Sequence, residues 1–175
     1  MATWFTADTH FGHRRIIELC QRPFASLEEM DRSMIESWNI TVGRDDDVFH
    51  LGDFSHRSAR HWSGYLRQLR GRIHLVHGNH DSDEVCTSPL WASSRQMAQV
   101  TVEGVRLVLC HYGLRTWPGA RRGALCLYGH SHGNLPGWRN TLDVGVDSWG
   151  FRPVRLSEIR ARLATLPEHD EEVRA

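Results

Sequence analysis

Eight residues of this 175-residue chain have the types and spacing to do chemistry: Asp8, His10, Asp53, Asn79, His80, His111, His130 and His132. Together they offer carboxylate oxygen, amide oxygen and imidazole nitrogen, a donor set that suits borderline divalent cations such as Mn²⁺, Fe²⁺, Zn²⁺ or Ni²⁺. No cysteine joins the set, which disfavours a closed structural zinc site. Asp8 and His10 stand two positions apart, as do His130 and His132, and on an extended strand such pairs point to the same side. Two cations need more ligands than either pair supplies. A shared carboxylate is the economical bridge, and Asp53 is its natural candidate. Two cations roughly 4 Å apart would produce hydroxide from a bridging water near neutral pH, bind phosphoryl oxygens and align the nucleophile with the leaving group. The leaving alkoxide then needs a proton from a histidine that is not a ligand. His80, beside Asn79 on one tight turn, is placed to give it.

Each block follows a strand-like run. The run 2–7 ends at Asp8, 48–51 at Gly52–Asp53, and 73–76 at Gly78-Asn79-His80-Asp81. The run 105–109 ends at Cys110–His111, and 124–128 at Gly129-His130-Ser131-His132. In open α/β sheets, ligands bind outside the carboxyl ends of the strands. The five endings are therefore expected to converge on one edge of a sheet. Between them the pattern predicts helices over 12–20, 26–38 and 58–69. Ser26 and Glu29 form a capping-box pattern for the second, with Leu27, Met30, Met34 and Trp38 facing the core. Trp62, Leu66 and Leu69 form the inner stripe of the third, which Gly71 ends. Glu103–Gly104 reads as a hairpin turn between 97–102 and 105–109. A short strand over 142–146 and a helix over 156–166, capped by Ser157, complete a single domain over 1–166. Residues 167–175 read as a polar tail.

Composition narrows the function further. The 21 basic and 21 acidic side chains cancel, and every basic one is arginine. The absence of lysine excludes a Schiff base, a lysine nucleophile and a Walker-type phosphate loop. Zero net charge argues against a strong, salt-driven grip on long nucleic acid or an anionic membrane, and leaves a small phosphorylated substrate as the expected partner. The four cysteines show no CxxC pairing, which fits a reducing cytoplasm. The start of the chain lacks the pattern of a signal peptide, and no run approaches the ~18 apolar residues of a membrane span. His50, His61, His74 and His77 lack ligand partners in sequence and read as structural.

The ordered blocks D-x-H (Asp8, His10), G-D (Gly52, Asp53), G-N-H-D (Gly78 to Asp81), the lone His111 and G-H-x-H (Gly129, His130, His132) resemble the calcineurin-like metallophosphoesterases. The stretches 8–13 and 145–153 resemble the compact, uncapped bacterial and phage members. The resemblance implies an α/β fold, a four-layer α/β/β/α sandwich. It also implies roles: Asp8, His10 and His132 on a first metal, Asn79, His111 and His130 on a second, Asp53 bridging, and His80 as leaving-group acid. Mn²⁺ is the first choice of metal. In protein phosphatases the second block continues G-D-x-x-D-R-G. Here 52–58 places His56 at the second aspartate and keeps Arg57, so Asp81, or no residue, orients His80. Arg57 and His13 are the candidate substrate contacts; Tyr112, Arg115 and Asn140 lie near ligand blocks without a mechanistic need. The implied activity is hydrolysis of phosphate esters, first of small diesters such as 2′,3′- or 3′,5′-cyclic nucleotides. The alternatives are a phosphomonoesterase or nucleotide pyrophosphatase, and a metal-binding scaffold without activity. The scaffold would lack a ligand or His80, and neither is missing.

Overall fold

The computed structural model describes residues 1–56 and 62–167. Arg57, His61, the start of the helix expected over 58–69 and residues 168–175 lie outside them. The first sheet has the order β4-β3-β2-β1-β9, built from β1 (Thr3–Thr6), β2 (Asp47–His50), β3 (Arg72–Val76), β4 (Ser93–Arg95) and β9 (Val154–Arg155). Strands β1 to β4 pair in parallel, and β9 runs antiparallel to β1. Parallel neighbours need crossovers. Helices α1 (Arg14–Leu19) and α2 (Leu27–Thr41) cross from β1 to β2, and α3 (Trp62–Leu66) lies between β2 and β3. The second sheet contains β5 (Met97–Val102), β6 (Val105–Cys110), β7 (Leu125–Tyr128) and β8 (Thr141–Asp143), in that order. Strands β5 and β6 form the expected hairpin, with Glu103 and Gly104 both at positive φ in its turn (50° and 77°). Strands β6, β7 and β8 are parallel.

Strand alternation divides the core. Trp4, Val48 and Ile73 face Met30, Met34 and Trp38 of α2, while Phe5, Leu51 and Val76 face Leu107, Leu109 and Leu127 of the second sheet. Helix α5 (Leu156–Leu163) adds Leu156, Ile159 and Leu163 to this inter-sheet layer. Val108, Trp117, Ala124 and Cys126 form a smaller cluster on the outer face of the second sheet, under a segment that includes the 3₁₀ turn Ala120–Arg122. Two sheets packed face to face and flanked by helices make the α/β sandwich that the motifs imply.

Local chemistry explains where the elements start. Ser26 Oγ accepts the Glu29 amide at 3.1 Å, and the Glu29 carboxylate reaches back to the Ala25 amide at 2.8 Å. Helix α2 continues to Thr41, beyond the expected end at Trp38. The cap of α5 is Arg155 rather than Ser157: Glu158 accepts the Arg155 amide at 3.0 Å, so the helix begins two residues earlier than a serine cap would place it. Strand β8 ends at Asp143, and Val146–Ser148 forms a 3₁₀ turn instead of continuing the strand. Helix α4 (Asp83–Thr87), β4 and β9 were not legible in the sequence. They are five, three and two residues long, too short for a periodic pattern. Pro167, the first residue of the expected tail, is tied down, its carbonyl accepting the Arg139 amide at 2.9 Å. Among the described residues, no helix is long and apolar enough to cross a membrane.

Asp46 pins the start of the first sheet. It accepts the Ala2 amide at 2.7 Å, the Trp4 indole N–H at 2.9 Å and the Gly43 amide at 3.0 Å. These bonds, the Ala2 amide foremost, hold its carboxyl down at about 2 against an ordinary 3.8. Asp46→Ala is predicted to cost about 1 kcal/mol, a figure discounted for the group's exposure. The charge-dependent part of that loss is full above the unfolded carboxyl's 3.8 and fades as pH falls through about 2. Urea unfolding of both proteins at pH 6 and pH 2.5 checks this; a difference that grows on acidification contradicts it.

Candidate metal centre

The candidate ligands stand just beyond the carboxyl ends of β1, β2, β3, β6 and β7, so the five endings come from two sheets rather than one. A parallel bridge between Ala7 and Gly145 joins the sheets at this edge, and the Val146 amide donates to Ala7 O at 3.0 Å. Asp8, His10, Asp53, His130 and His132 all adopt left-handed backbone, with φ of 58°, 50°, 56°, 65° and 48°. Asp8 and His10 therefore do not converge through strand pleating, as their spacing suggests, and neither do His130 and His132. Each turns inward through a conformation that non-glycine residues seldom adopt and that Asp and His tolerate better than most. Pairing holds the turns: the Asp8 amide donates to Gly52 O and the His10 amide to Asp53 O, both at 3.0 Å. Close approach does the rest. A Cβ on Gly52 would lie 2.6 Å from Gly78 Cα, and one on Gly145 would lie 2.6 Å from Asp8 Oδ2.

Among the described residues three groups could hold a cation; two are built from the expected ligands, and the third, Cys20, His132 and Asp147, shares His132 with the first. Asp8, His10 and His132 each bring a ligand atom within 4.8 Å of the others, and so do Asp53, His111 and His130. Asp53 Oδ2 lies 3.5 Å from both His10 Nε2 and His111 Nε2, between the groups. Asn79 Oδ1 sits 3.1 Å from His111 Nε2. His111 Nδ1 donates to Leu51 O at 2.7 Å, which aims Nε2 inward. The same group of residues fits a divalent cation on independent grounds: His10 Nε2 is buried and has no hydrogen-bond partner, an orphan that a cation would satisfy.

Burial governs the charges. It pushes Asp8 up to about 7, with Asp143 and Asp53 adding to the rise, and it holds His10 well below the usual imidazole range. Asp53 moves the other way: burial opposes its charge, but bonds and charges from His111 and His10 keep it below the carboxylate range. Burial alone would lower His132, yet its hydrogen bond to Asp147, with Cys20 and the Asp8 charge, lifts it to about 10.

Several supporting residues escaped the sequence reading. Asp147 Oδ2 lies 2.7 Å from His132 Nδ1. Arg22, 4% exposed, grips Asp147 through Nε and Nη2 at 2.8 and 2.9 Å, and donates to Asp8 O at 2.7 Å and Thr9 O at 3.1 Å. One guanidinium thus ties the first ligand block to the last. Asp143 accepts from Ser131 Oγ, the Gly133 amide and the Gly145 amide, bracing the loop of His130 and His132. Asp81 spends both oxygens on the amides of Asp53, Phe54 and Gly78, so it positions backbone and not the His80 ring. His50 is structural as expected: Thr9 Oγ1 donates to Phe54 O and meets His50 Nε2 at 2.9 Å, and burial drives His50 down to about 3.

His80 joins the cluster. Its amide donates to Asp53 Oδ1 at 2.8 Å, and its ring lies 5.1 Å from that of His10. His13 also belongs, its ring 5.2 Å from His10, 6.0 Å from His80 and stacked at 4.1 Å on His56. Tyr112 packs 4.8 Å from His130.

The calcineurin-like phosphoesterase family model matches residues 1–152. The chain belongs to that family. This calcineurin-like phosphoesterase is a metal-dependent hydrolase of phosphate esters. It is 29% identical to an uncharacterised protein of Methanocaldococcus jannaschii, over 89% of this chain and 88% of that one. It is 30% identical to the gene 66 protein of Mycobacterium phage L5, over 90% and 91%. Its fold is similar to that of a protein of unknown function from Aquifex aeolicus, with a TM-score of 0.71 at 22% identity over 91% and 98% of the two chains. It also resembles an archaeal phosphodiesterase, with a TM-score of 0.53 at 16% identity over 83% and 82%.

Asp147→Asn keeps the shape but removes the charge behind His132. It is predicted to weaken cation binding by roughly 10- to 100-fold, read as the Mn²⁺ dissociation constant by calorimetry. An unchanged constant would detach Asp147 from the centre.

Proposed function

We propose that this protein is a phosphodiesterase of small diesters, cyclic nucleotides among them, working with two divalent cations. The carrying observation is Asp53 Oδ2, equidistant at 3.5 Å from an imidazole nitrogen of each ligand group. Asp8, His10 and His132 would hold one cation, Asn79, His111 and His130 the other, and Asp53 both. Mn²⁺ is our first choice of metal, and the mixed carboxylate, amide and imidazole donor set suits Fe²⁺, Zn²⁺ or Ni²⁺ as well. Such a pair supplies an activated water and neutralises phosphoryl charge.

The chain's own groups do the rest. His80 donates a proton to the leaving oxygen, and the hydrogen bond from its backbone N–H to Asp53 Oδ1 holds its turn against the centre. His13, which burial and the neighbouring His56 bring down to about 4, is neutral at physiological pH and offers an N–H to the phosphoryl group. Arg22 is spent on Asp147 and two carbonyls and is no phosphate clamp. A monoanionic diester needs fewer cationic contacts than a dianionic monoester, which favours the diester. Zero net charge fits a small phosphorylated substrate rather than long nucleic acid, and the four free cysteines fit a reducing cytoplasm.

Protein loaded with excess Mn²⁺ is expected to retain two ions per chain by metal analysis; one ion contradicts a bridging Asp53. His80→Ala is expected to lose roughly 10²- to 10⁴-fold in turnover at unchanged metal content. Full turnover of a substrate with a poor leaving group would remove His80 from the mechanism. A bis-aryl phosphate should be cleaved in preference to the matching mono-aryl phosphate, and the reverse order ends the diester reading.

A further inference from the structure

Three of the imidazoles in the ligand set are steadied from behind. His111 Nδ1 bonds Leu51 O at 2.7 Å, His132 Nδ1 meets Asp147 Oδ2 at 2.7 Å, and His10 Nδ1 stands 3.4 Å from His13 Nδ1. Partners of this kind orient a metal-binding ring and set its affinity. His130 differs. It is the exposed member of the set. Among the described residues, hydrogen bonds reach only its backbone N–H, which donates to Asp8 Oδ1 and Oδ2 at 3.0 and 2.9 Å. Rotation of an imidazole about its Cβ–Cγ bond is broad, so packing has to fix this ring.

Two rings do so. Tyr112 and His111 lie 4.8 and 5.1 Å from His130, at interplanar angles of 66° and 67°. Tyr112 also meets His111, at 5.0 Å and 73°. All three contacts are edge-to-face, an arrangement that aromatic pairs prefer. The backbone under Tyr112 is fixed. The Gly129 amide donates to His111 O at 3.0 Å, joining the endings of β6 and β7, and a Cβ on Gly113 would lie 2.6 Å from Leu135 Cδ2. Tyr112 itself is 46% exposed and belongs to none of the three core clusters. Its ring therefore packs on ligands without filling the core.

We propose that Tyr112 is a positioning residue for the second cation, its ring holding the His130 imidazole in the orientation that ligation needs. The proposal rests on the two-cation reading and adds the residue that stands in for the missing hydrogen bond behind His130.

The test titrates Mn²⁺ into metal-free protein by calorimetry. Tyr112→Ala should weaken one of the two dissociation constants by roughly 10-fold and leave the other unchanged. Tyr112→Phe, which keeps the ring, should match the wild type. On a His130→Ala background, Tyr112→Ala should cost nothing further, because the contact it removes is already gone. Unchanged constants in Tyr112→Ala, an equal fall of both, a Tyr112→Phe as weak as Tyr112→Ala, or a full further loss on the His130→Ala background overturns the proposal. A wild type that binds one ion counts against the two-cation reading. Tyr112 then keeps its role if Tyr112→Ala weakens that ion on the native background and not on the His130→Ala one, and loses it otherwise.

Discussion

Five ligand-type side chains stand on backbone that L-residues avoid, and the centre depends on their staying there. Asp8, His10, Asp53, His130 and His132 are all left-handed, at a cost of roughly 1–2 kcal/mol per residue for an ordinary side chain. Such conformations persist only where the surroundings over-determine them. Here they do. Amide bonds lock the β1 and β2 endings together, Asp81 fastens the turn around Asp53, and Asp143 braces the loop of His130 and His132. The strained turns swing donors from successive positions toward one point, which an extended strand ending cannot do.

The same constraint sets the packing. Left-handed endings leave the backbones of neighbouring strands close together, and Gly52, Gly78 and Gly145 stand where a Cβ would collide with a neighbour. Two sheets share the edge, so each contributes part of the ligand set. The inter-sheet core of Phe5, Leu51, Leu107, Leu109 and Leu127 is thus more than ballast, because it fixes the distance between Asp8 and Asp53 on one sheet and His111 and His130 on the other. Arg22 reinforces that join, bonding Asp147 and the Asp8 carbonyl at once.

Charge follows from this geometry. Asp8, His10, Asp53 and His111 are packed where water does not reach, so burial raises Asp8 and lowers His10, while Asp53 stays ionised against two imidazoles. Cation chemistry suits such a site, since a cation repays the desolvation of both carboxylates and uses the orphan nitrogen of His10.

Residue type and order by themselves determined the ligand inventory, the strand endings that carry it, His80 on its turn, the Ser26 cap and the Glu103–Gly104 hairpin. These are local facts, written within a few positions of one another. Only the tertiary structure decided that two sheets share the site, that left-handed turns rather than pleating aim the donors, that Asp81 serves backbone, and that Arg22 and Asp147 meet across 125 positions. Such contacts join residues far apart in the chain, and no periodicity or spacing encodes them, because only the packing of the two sheets creates them.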